Sequence, residues 1–226
     1  MGAQYCYYGW RSGSFDQIEF RDILTFMSHP KKERTLVFVK HDGIQRTLVG
    51  EIIKRLERTG LKIVALKMFV PDMERVIKHY GKDAVWYETK GARMIETMKG
   101  NGENITKSAI EYGKDIEQAV LKYITSGPVV GMILEGNQAV GIVKKLVGST
   151  EPLSSDVGTI RGDYTLDSYM LTDVDKRAVR NLVHCTDKPE EAEKEITLWF
   201  SPSEIINYRS IQEEILYDVN LDGILE

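Results

Sequence analysis

Cysteine is scarce: the 226-residue chain has two, Cys6 and Cys185. Two thiols so far apart make no disulfide framework, and no metal-ligand spacing is present. No stretch approaches the roughly 20 apolar residues that a membrane span needs. Residues 1–10 are rich in Tyr and Gly and lack the basic stretch and apolar run of a secretory signal, so a cytoplasmic protein is expected. A basic excess is missing too. The formal net charge is −4, which gives no reason to expect nucleic acid or an anionic membrane as partner, though a local basic pocket for a phosphorylated small molecule stays open. Two phosphate-binding signatures are also absent. Residues 102–108 end in Thr106-Lys107-Ser108 without the glycine spacing of a Walker A loop, and no GxGxxG follows a strand.

What is present fits a soluble globular chain. Hydrophobic residues make up 42% and charged residues 28%, and the length suits one domain with insertions or two small ones. Residues 1–26 read as an extension before a start at Met27, or as a leader whose residues 16–26 form a short native helix. Residues 35–39 (TLVFV) form a compact apolar run with β propensity, bounded by the turn-like Lys40-His41-Asp42-Gly43. Leu48, Ile52, Ile53 and Leu56 recur at helical spacing, and Gly60 ends that helix. A strand over 61–68 and a helix over 71–80 follow. Residues 81–124 are the least regular part, with helical spacing only from 116. The tetrapeptide YGKD at 80–83 and 112–115 is treated as a chance repeat. A strand over 128–134, a helix over 138–146 and a polar loop over 148–159 come next. Leu182-Val183 reads as a short strand. After it, Thr186 or Asp187 can cap a helix with Pro189 in its first turn. This order suggests an α+β fold, a ferredoxin-like (βαββαβ) sandwich of two layers around one core.

The residue with the most chemistry is His184. It stands at a strand end just ahead of a helix N-terminus, where backbone N–H groups and the dipole favour an anion. Imidazole is a good nucleophile near neutral pH because its pKa lies close to it.

Several segments in one order resemble the nucleoside diphosphate kinase family. Residues 35–46 (TLVFVKHDGIQR) resemble its opening strand, residues 158–164 (GTIRGDY) its GTIRGDF loop, and residues 180–187 (RNLVHCTD) its NxxH motif. Residues 190–200 (EEAEKEITLWF) look like the helix that follows, and residues 48–53, 126–130 and 145–152 also match in order. The resemblance covers about residues 33–208 and is interrupted twice. It implies that the protein is an enzyme in which His184 attacks the γ-phosphorus of a nucleoside triphosphate, forms a phosphohistidine and passes the group to a diphosphate by ping-pong kinetics. It implies further that Glu195 orients the imidazole, that Lys40, Thr150, Arg161 and Asn181 contact phosphates and sugar, and that Tyr80 sits beside the histidine. Phosphoryl transfer leaves a protein mainly positioning and charge neutralisation to do, which suits Lys40 and Arg161. Mg2+ would bridge the phosphates and needs few protein ligands, so no dedicated metal cage is expected. A site indifferent to the base follows if contacts go mainly to sugar and phosphate. Family members are usually hexamers or tetramers built of dimers, so a homo-oligomer is expected.

The chain departs from the family pattern at several points. His41 stands for a usual Pro, Cys185 for Gly and Thr186 for Ser. Lys144 stands for a usual Arg, so its phosphate contact becomes a point charge without bidentate geometry. The domain reading is an extension over 1–30, then a kinase-like domain over 31–226 with insertions near 81–122 and 167–179. The first displaces the family's pair of phenylalanines, one of which stacks on the base; Trp86 or Tyr87 either stacks instead or packs the insertion. The second carries Asp167, Asp173 and Asp175 and is expected to be a solvent-facing loop. An alternative reading is a regulatory or nucleotide-binding member of the fold with little turnover.

Overall fold

The computed structural model describes residues 32–217, so the expectations for residues 1–30 lie outside the described residues. Four strands, β1 (Glu33–Val39), β2 (Lys62–Phe69), β3 (Val129–Gly136) and β4 (Val183–Cys185), form one sheet in the order β2-β3-β1-β4. Every neighbouring pair is antiparallel. This is the expected α+β, ferredoxin-like arrangement. The central strand β1 is the apolar run read from the sequence, and it is buried from Thr35 to Val39. A strand reads as a continuous apolar run when both of its faces are covered.

Helices cover both faces, so the sandwich has three layers rather than the expected two. On one face, Val37, Val39, Met132 and Leu134 pack against Ile52 and Leu56 of α2 (Val49–Glu57) and Val143 and Val147 of α6 (Ala139–Val147). A short helix α1 (His41–Gln45) precedes α2 and replaces the turn expected at Lys40 to Gly43. On the other face, Leu36, Phe38 and Ile133 pack against Val76 of α3 (Met73–Tyr80), Leu121 and Ile124 of α5 (Ala109–Thr125), and Ile196 and Trp199 of α9 (Pro189–Trp199). The third layer arises because α5 lies in the stretch read as irregular.

Residues 81–124 are in fact an antiparallel pair of 17-residue helices, α4 (Ala84–Gly100) and α5. Asp83 caps α4 by accepting from the Trp86 amide, and Ser108 with Glu111 forms a capping box on α5. The two helices cross closely at glycines. A Cβ on Gly91 would lie 1.7 Å from the Ala109 carbonyl oxygen, and one on Gly113 would lie 2.2 Å from that of Tyr87. The two YGKD segments take different conformations, the first spanning the end of α3 and the cap of α4, the second lying inside α5.

The second irregular segment is also ordered. Instead of a solvent-facing loop it contains α8 (Tyr169–Asp175), after α7 (Ile160–Tyr164). Asp167 is buried and receives Arg177 at 2.7 Å, and Asp173 receives Arg93 of α4 at 3.0 Å. Asp175 alone of the three is exposed, and it too pairs with Arg177. A last helix, α10 (Ile211–Leu216), lies after α9 and is tied down by the buried Lys62, which meets Glu135 and Glu213.

Glycine to alanine inside a helix ordinarily stabilises by about 0.5–1 kcal/mol. At Gly91 and Gly113 the opposite sign is expected, because the added methyl meets partner backbone that cannot yield. Urea denaturation of Gly91→Ala and Gly113→Ala should show both less stable than the parent chain, while an exposed α5 substitution such as Lys114→Ala stays near it.

Candidate active site

The site grows from a cross-strand pair. Phe38 of β1 lies directly opposite His184 of β4 in the antiparallel register, and opposite Gly131 of β3 on its other side. Directly opposed residues share a face, so the Phe38 ring forms a floor, its centroid 5.7 Å from that of His184. Gly131 leaves room for that floor: a Cβ there would meet the Phe38 and Phe69 rings at 3.1 and 2.9 Å. The chain enters β4 through Leu182, fully buried at φ 64°, a left-handed conformation unusual for a non-glycine residue. Asp42 accepts from its amide at 3.2 Å and the Lys40 amide donates to its carbonyl at 2.8 Å, so the unusual backbone is held from both sides.

The imidazole is gripped at one nitrogen. His184 Nε2 lies 3.2 Å from Glu195 Oε2 and 3.0 Å from His79 Nε2. Nδ1 has no protein partner among the described residues. Thr186, fully buried, donates its hydroxyl to the same Glu195 oxygen at 2.6 Å. That is why Thr186 does not cap α9, whose N-cap is Lys188 without a side-chain bond; Asp187, the other expected cap, instead pairs with Lys144 at 2.5 Å. His79 is held by Trp199, whose indole N–H donates to its Nδ1 at 2.9 Å. Sequence reading missed His79 and the anchoring roles of Thr186, Trp199 and Phe38. The available signal was that His79 immediately precedes Tyr80.

Two buried cations face this network. Lys40 donates to Asn181 Oδ1 at 2.6 Å, and Asn181 in turn donates to the Thr150 carbonyl at 2.7 Å. Arg161 is held by four backbone carbonyls, those of Gly148, Ser149, Asn181 and Val183, at 2.7–3.3 Å. It has no carboxylate partner among the described residues, so its charge remains available. Tyr80 stacks edge-on at 5.5 Å from His184, and its buried hydroxyl has no partner among the described residues. A buried unsatisfied hydroxyl calls for an explanation, and a ligand that accepts from it supplies one.

Lys40, Tyr80, Thr150, Arg161, Asn181, His184 and Glu195 all line one cleft of about 580 Å³, within the range of small-molecule sites. Its walls carry six cations against four carboxylates although the whole chain is net negative. Lys144 is the one expected site residue outside the lining; it is turned to Asp187, which does line the cleft. Trp86 lines the cleft, whereas Tyr87 is turned away, its hydroxyl on Glu117 at 2.9 Å. The close group with metal-ligand spacing among the described residues is His79, His184 and Glu195. Two ring nitrogens in three ligands do not suit Mg2+, which takes oxygen ligands and substrate phosphates.

Burial, then the nearby charges of Lys40 and Arg161, lower the His184 pKa to about 3. Burial and the neighbouring His184 lower that of His79 to about 3. Burial with Arg161 brings Lys40 down to about 7, and burial raises Glu195. Both histidines are therefore neutral at physiological pH. Because their folded pKa values lie below the unfolded one, the native state binds fewer protons than the unfolded state. Their stabilising contribution is full above about pH 6.5 and is lost as pH falls toward about 3. Urea midpoints should fall through that window, and less steeply in His79→Gln; imidazole 15N signals of both rings should show no titration between pH 5.5 and 8.

The sequence pattern of the nucleoside diphosphate kinase family matches residues 33–98 and 87–205. The nucleoside diphosphate kinase of Pyrobaculum aerophilum is 45% identical over 179 residues, covering 77% of this chain and 98% of the relative. That of Archaeoglobus fulgidus is 41% identical over 186 residues, covering 82% and 98%. Among solved structures, an NDP kinase from Pyrobaculum aerophilum superposes with a TM-score of 0.72 at 43% identity, over 78% of this chain and all of that one. A transition-state mimic of the Borrelia burgdorferi enzyme with bound vanadate and ADP gives 0.65 at 30% identity, over 80% and 94%. On its sequence, its fold and the agreement of both with these relatives, the chain belongs to the nucleoside diphosphate kinase family.

Proposed function

We propose that this chain moves the γ-phosphoryl group of a nucleoside triphosphate to a nucleoside diphosphate by way of Nδ1 of His184. Nucleoside diphosphate kinase activity goes with the family, and the distribution of that work over these residues is the proposal. The observation that carries it is a half-buried imidazole with Nε2 engaged by Glu195 and Nδ1 without a partner among the described residues, beside the buried Lys40 and Arg161.

In the first half-reaction, Nδ1 attacks the γ-phosphorus, the bond to the β-phosphate oxygen breaks, and the diphosphate leaves with that electron pair. Glu195, held by Thr186, accepts a hydrogen bond from the proton that Nε2 must carry for this attack and stabilises the positive charge that the ring gains. His79 is protonated at Nε2 because its Nδ1 accepts from Trp199, and it directs that proton toward Glu195 Oε1, 3.9 Å away, rather than to His184. The second half-reaction reverses these bonds with a different diphosphate, and the ring returns unchanged. Arg161 supplies fixed positive charge, which needs no reorganisation as charge moves, and Lys40, brought down to about 7 by burial and Arg161, is held protonated once phosphate lies beside it. Tyr80 offers its free hydroxyl, and Asn181 and Thr150 hold the Lys40 side of the cleft. Lys144 reaches phosphate by exchanging Asp187 for it. When bound with the nucleotide, Mg2+ would supply charge neutralisation at the phosphates, with no residue of the chain required to ligate it. The reading as a binding protein without turnover has no observation in its favour, since the nucleophile, its orienting carboxylate and both buried cations are in place.

Residues 81–122 and 167–179 are read as insertions into the family core, within a domain spanning 31–226. A homo-oligomer built of dimers is supported by the edge strand β2 and the adjoining α3, where Leu66, Met68, Val70, Met73 and Ile77 are all about half exposed or more. Edge strands with apolar faces are natural pairing surfaces. Hexamer or tetramer is the expected final count. No helix of the described residues is long and apolar enough to cross a membrane, which is compatible with a cytoplasmic site of action.

Incubation with γ-labelled ATP and Mg2+ should give an acid-labile, base-stable phosphoenzyme that transfers its label to a diphosphate. His184→Ala should abolish it, and Lys40→Met should lower kcat/KM by about 100-fold. A His184→Ala chain that still takes up label would overturn the assignment. Light scattering should show Met68→Glu combined with Leu66→Lys shifting the protein to a smaller species, with the fold retained by circular dichroism.

A further inference from the structure

Arg161 stands on α7, a helix of only five residues. A helix that short has no stability of its own in water, because nucleation costs more than its few hydrogen bonds return. Its neighbours must hold it. Ile160 is fully buried in the core, Thr159 caps the helix by accepting from the Gly162 amide at 3.0 Å, and Asp163 accepts from the Gly158 amide at 2.8 Å. Further ties come from Glu51 and Arg55, one turn apart on α2. Arg55 meets Asp163 at 2.7 Å and donates to the Gly158 carbonyl at 3.4 Å, and its guanidinium lies 4.4 Å over the Tyr164 ring. Glu51 accepts from the Tyr164 hydroxyl at 2.9 Å and pairs with Arg55 at 3.5 Å. Tyr164 stands where the GTIRGDF loop of the family has phenylalanine, so the bond to Glu51 needs the hydroxyl that this chain carries. Neither Glu51 nor Arg55 lines the cleft.

We propose that Glu51 and Arg55 are positioning residues that fix Arg161 for the nucleotide phosphates by clamping α7 from α2. The proposal rests on the reading of Arg161 as a phosphate contact. Arg161 reaches inward to the carbonyls of Gly148, Ser149, Asn181 and Val183, whereas Asp163 and Tyr164 of the same turn reach α2. The carbonyls hold the guanidinium at its tip, and the clamp holds the backbone from which it extends. A turn gripped on both sides cannot roll about Ile160. The clamp is also better placed than an open surface pair. The Arg55 and Asp163 side chains are only about a quarter exposed, and stacking on Tyr164 adds to the charge pairing. A misplacement of about 1 Å at a group that contacts the reacting phosphates costs up to about 100-fold in rate. Loosening the clamp, which leaves the four carbonyls in place, is expected to cost less.

The test is a double-mutant cycle on the full chain, read as kcat/KM for phosphoenzyme formation from ATP with Mg2+ and as calorimetric ADP affinity. Arg55→Met keeps an apolar stem over Tyr164 and removes the charge. It should lower kcat/KM by about tenfold, with Arg55→Lys recovering part of the loss. In an Arg161→Met background the same change should have less than about a twofold effect, because a residue that acts through another is silent once that other is gone. Tyr164→Phe is the mildest change and removes the Glu51 bond alone. It should lower kcat/KM by about threefold and be silent in the Arg161→Met background too. ADP affinity should fall in the same pattern. A purely structural role would lower the urea midpoint and leave the kinetics of the folded enzyme at the parent values. Arg55→Met and Tyr164→Phe at the parent rate beside a slowed Arg161→Met, or losses that simply multiply with that of Arg161→Met, would overturn the proposal. An Arg161→Met chain at full rate would overturn the phosphate role of Arg161 and this inference with it.

Discussion

One ring nitrogen organises the active site. His184 Nε2 meets Glu195, which is held by Thr186, and His79, which is held by Trp199. Glu195 and Trp199 come from α9, His79 from α3 and Thr186 from just after β4, all around the same sheet face, with Phe38 as the floor. A buried polar network of this kind is rigid when satisfied and damaging when one member is lost. The consequence here is chemical as well as structural. Engaging Nε2 leaves Nδ1 as the free nitrogen, and burial beside Lys40 and Arg161 keeps the ring neutral, which is the nucleophilic state.

The same surroundings carry features that would be poor choices for stability alone. Arg161 is buried on carbonyls without a carboxylate, Lys40 is buried on an amide oxygen, and Leu182 holds a left-handed backbone in a fully buried position. Uncompensated buried charge disfavours the folded state unless something anionic shares the space. Arg161 and Lys40 line the same cleft as His184, where the proposed triphosphate tail would supply the missing charge. Backbone strain and unpaired cations thus sit where the chemistry needs them, supported by an ordinary apolar core on both faces of the sheet.

The two segments read in the sequence as insertions form one structure. α4 and α5 cross closely at Gly91 and Gly113, α5 supplies Leu121 and Ile124 to the core, and α8 is tied to α4 by Arg93 and Asp173. They wall the cleft on the side away from His184, and Trp86 and Tyr169 come from them. Their effect is to enclose a region beside the cleft with charged and aromatic side chains, among them Arg93, Asp173, Trp86 and Tyr169.

Local patterning in the sequence carried the four strands, the helices that flank β1 and β3, and the likeness that singled out His184, Glu195, Lys40, Arg161, Asn181, Thr150 and Tyr80. Those signals were legible because apolar periodicity and ordered motifs are properties of neighbouring residues. The helices α4 and α5 were hidden because helical spacing is legible only from residue 116, and the close crossing at Gly91 and Gly113 is something no local pattern records. Likewise, Asp167 and Asp173 read as solvent-facing because their partners, Arg177 and Arg93, are brought to them only by packing. The role of His79 is of the same kind: it stands 105 residues from His184 in the chain and 3.0 Å away in the fold. Sequence by itself thus determined which chemistry is present and the strand framework that carries it. Tertiary structure alone decided which nitrogen is free, which charges are buried without partners, and what encloses the space beside them, because each of these depends on residues remote in sequence meeting across the sheet.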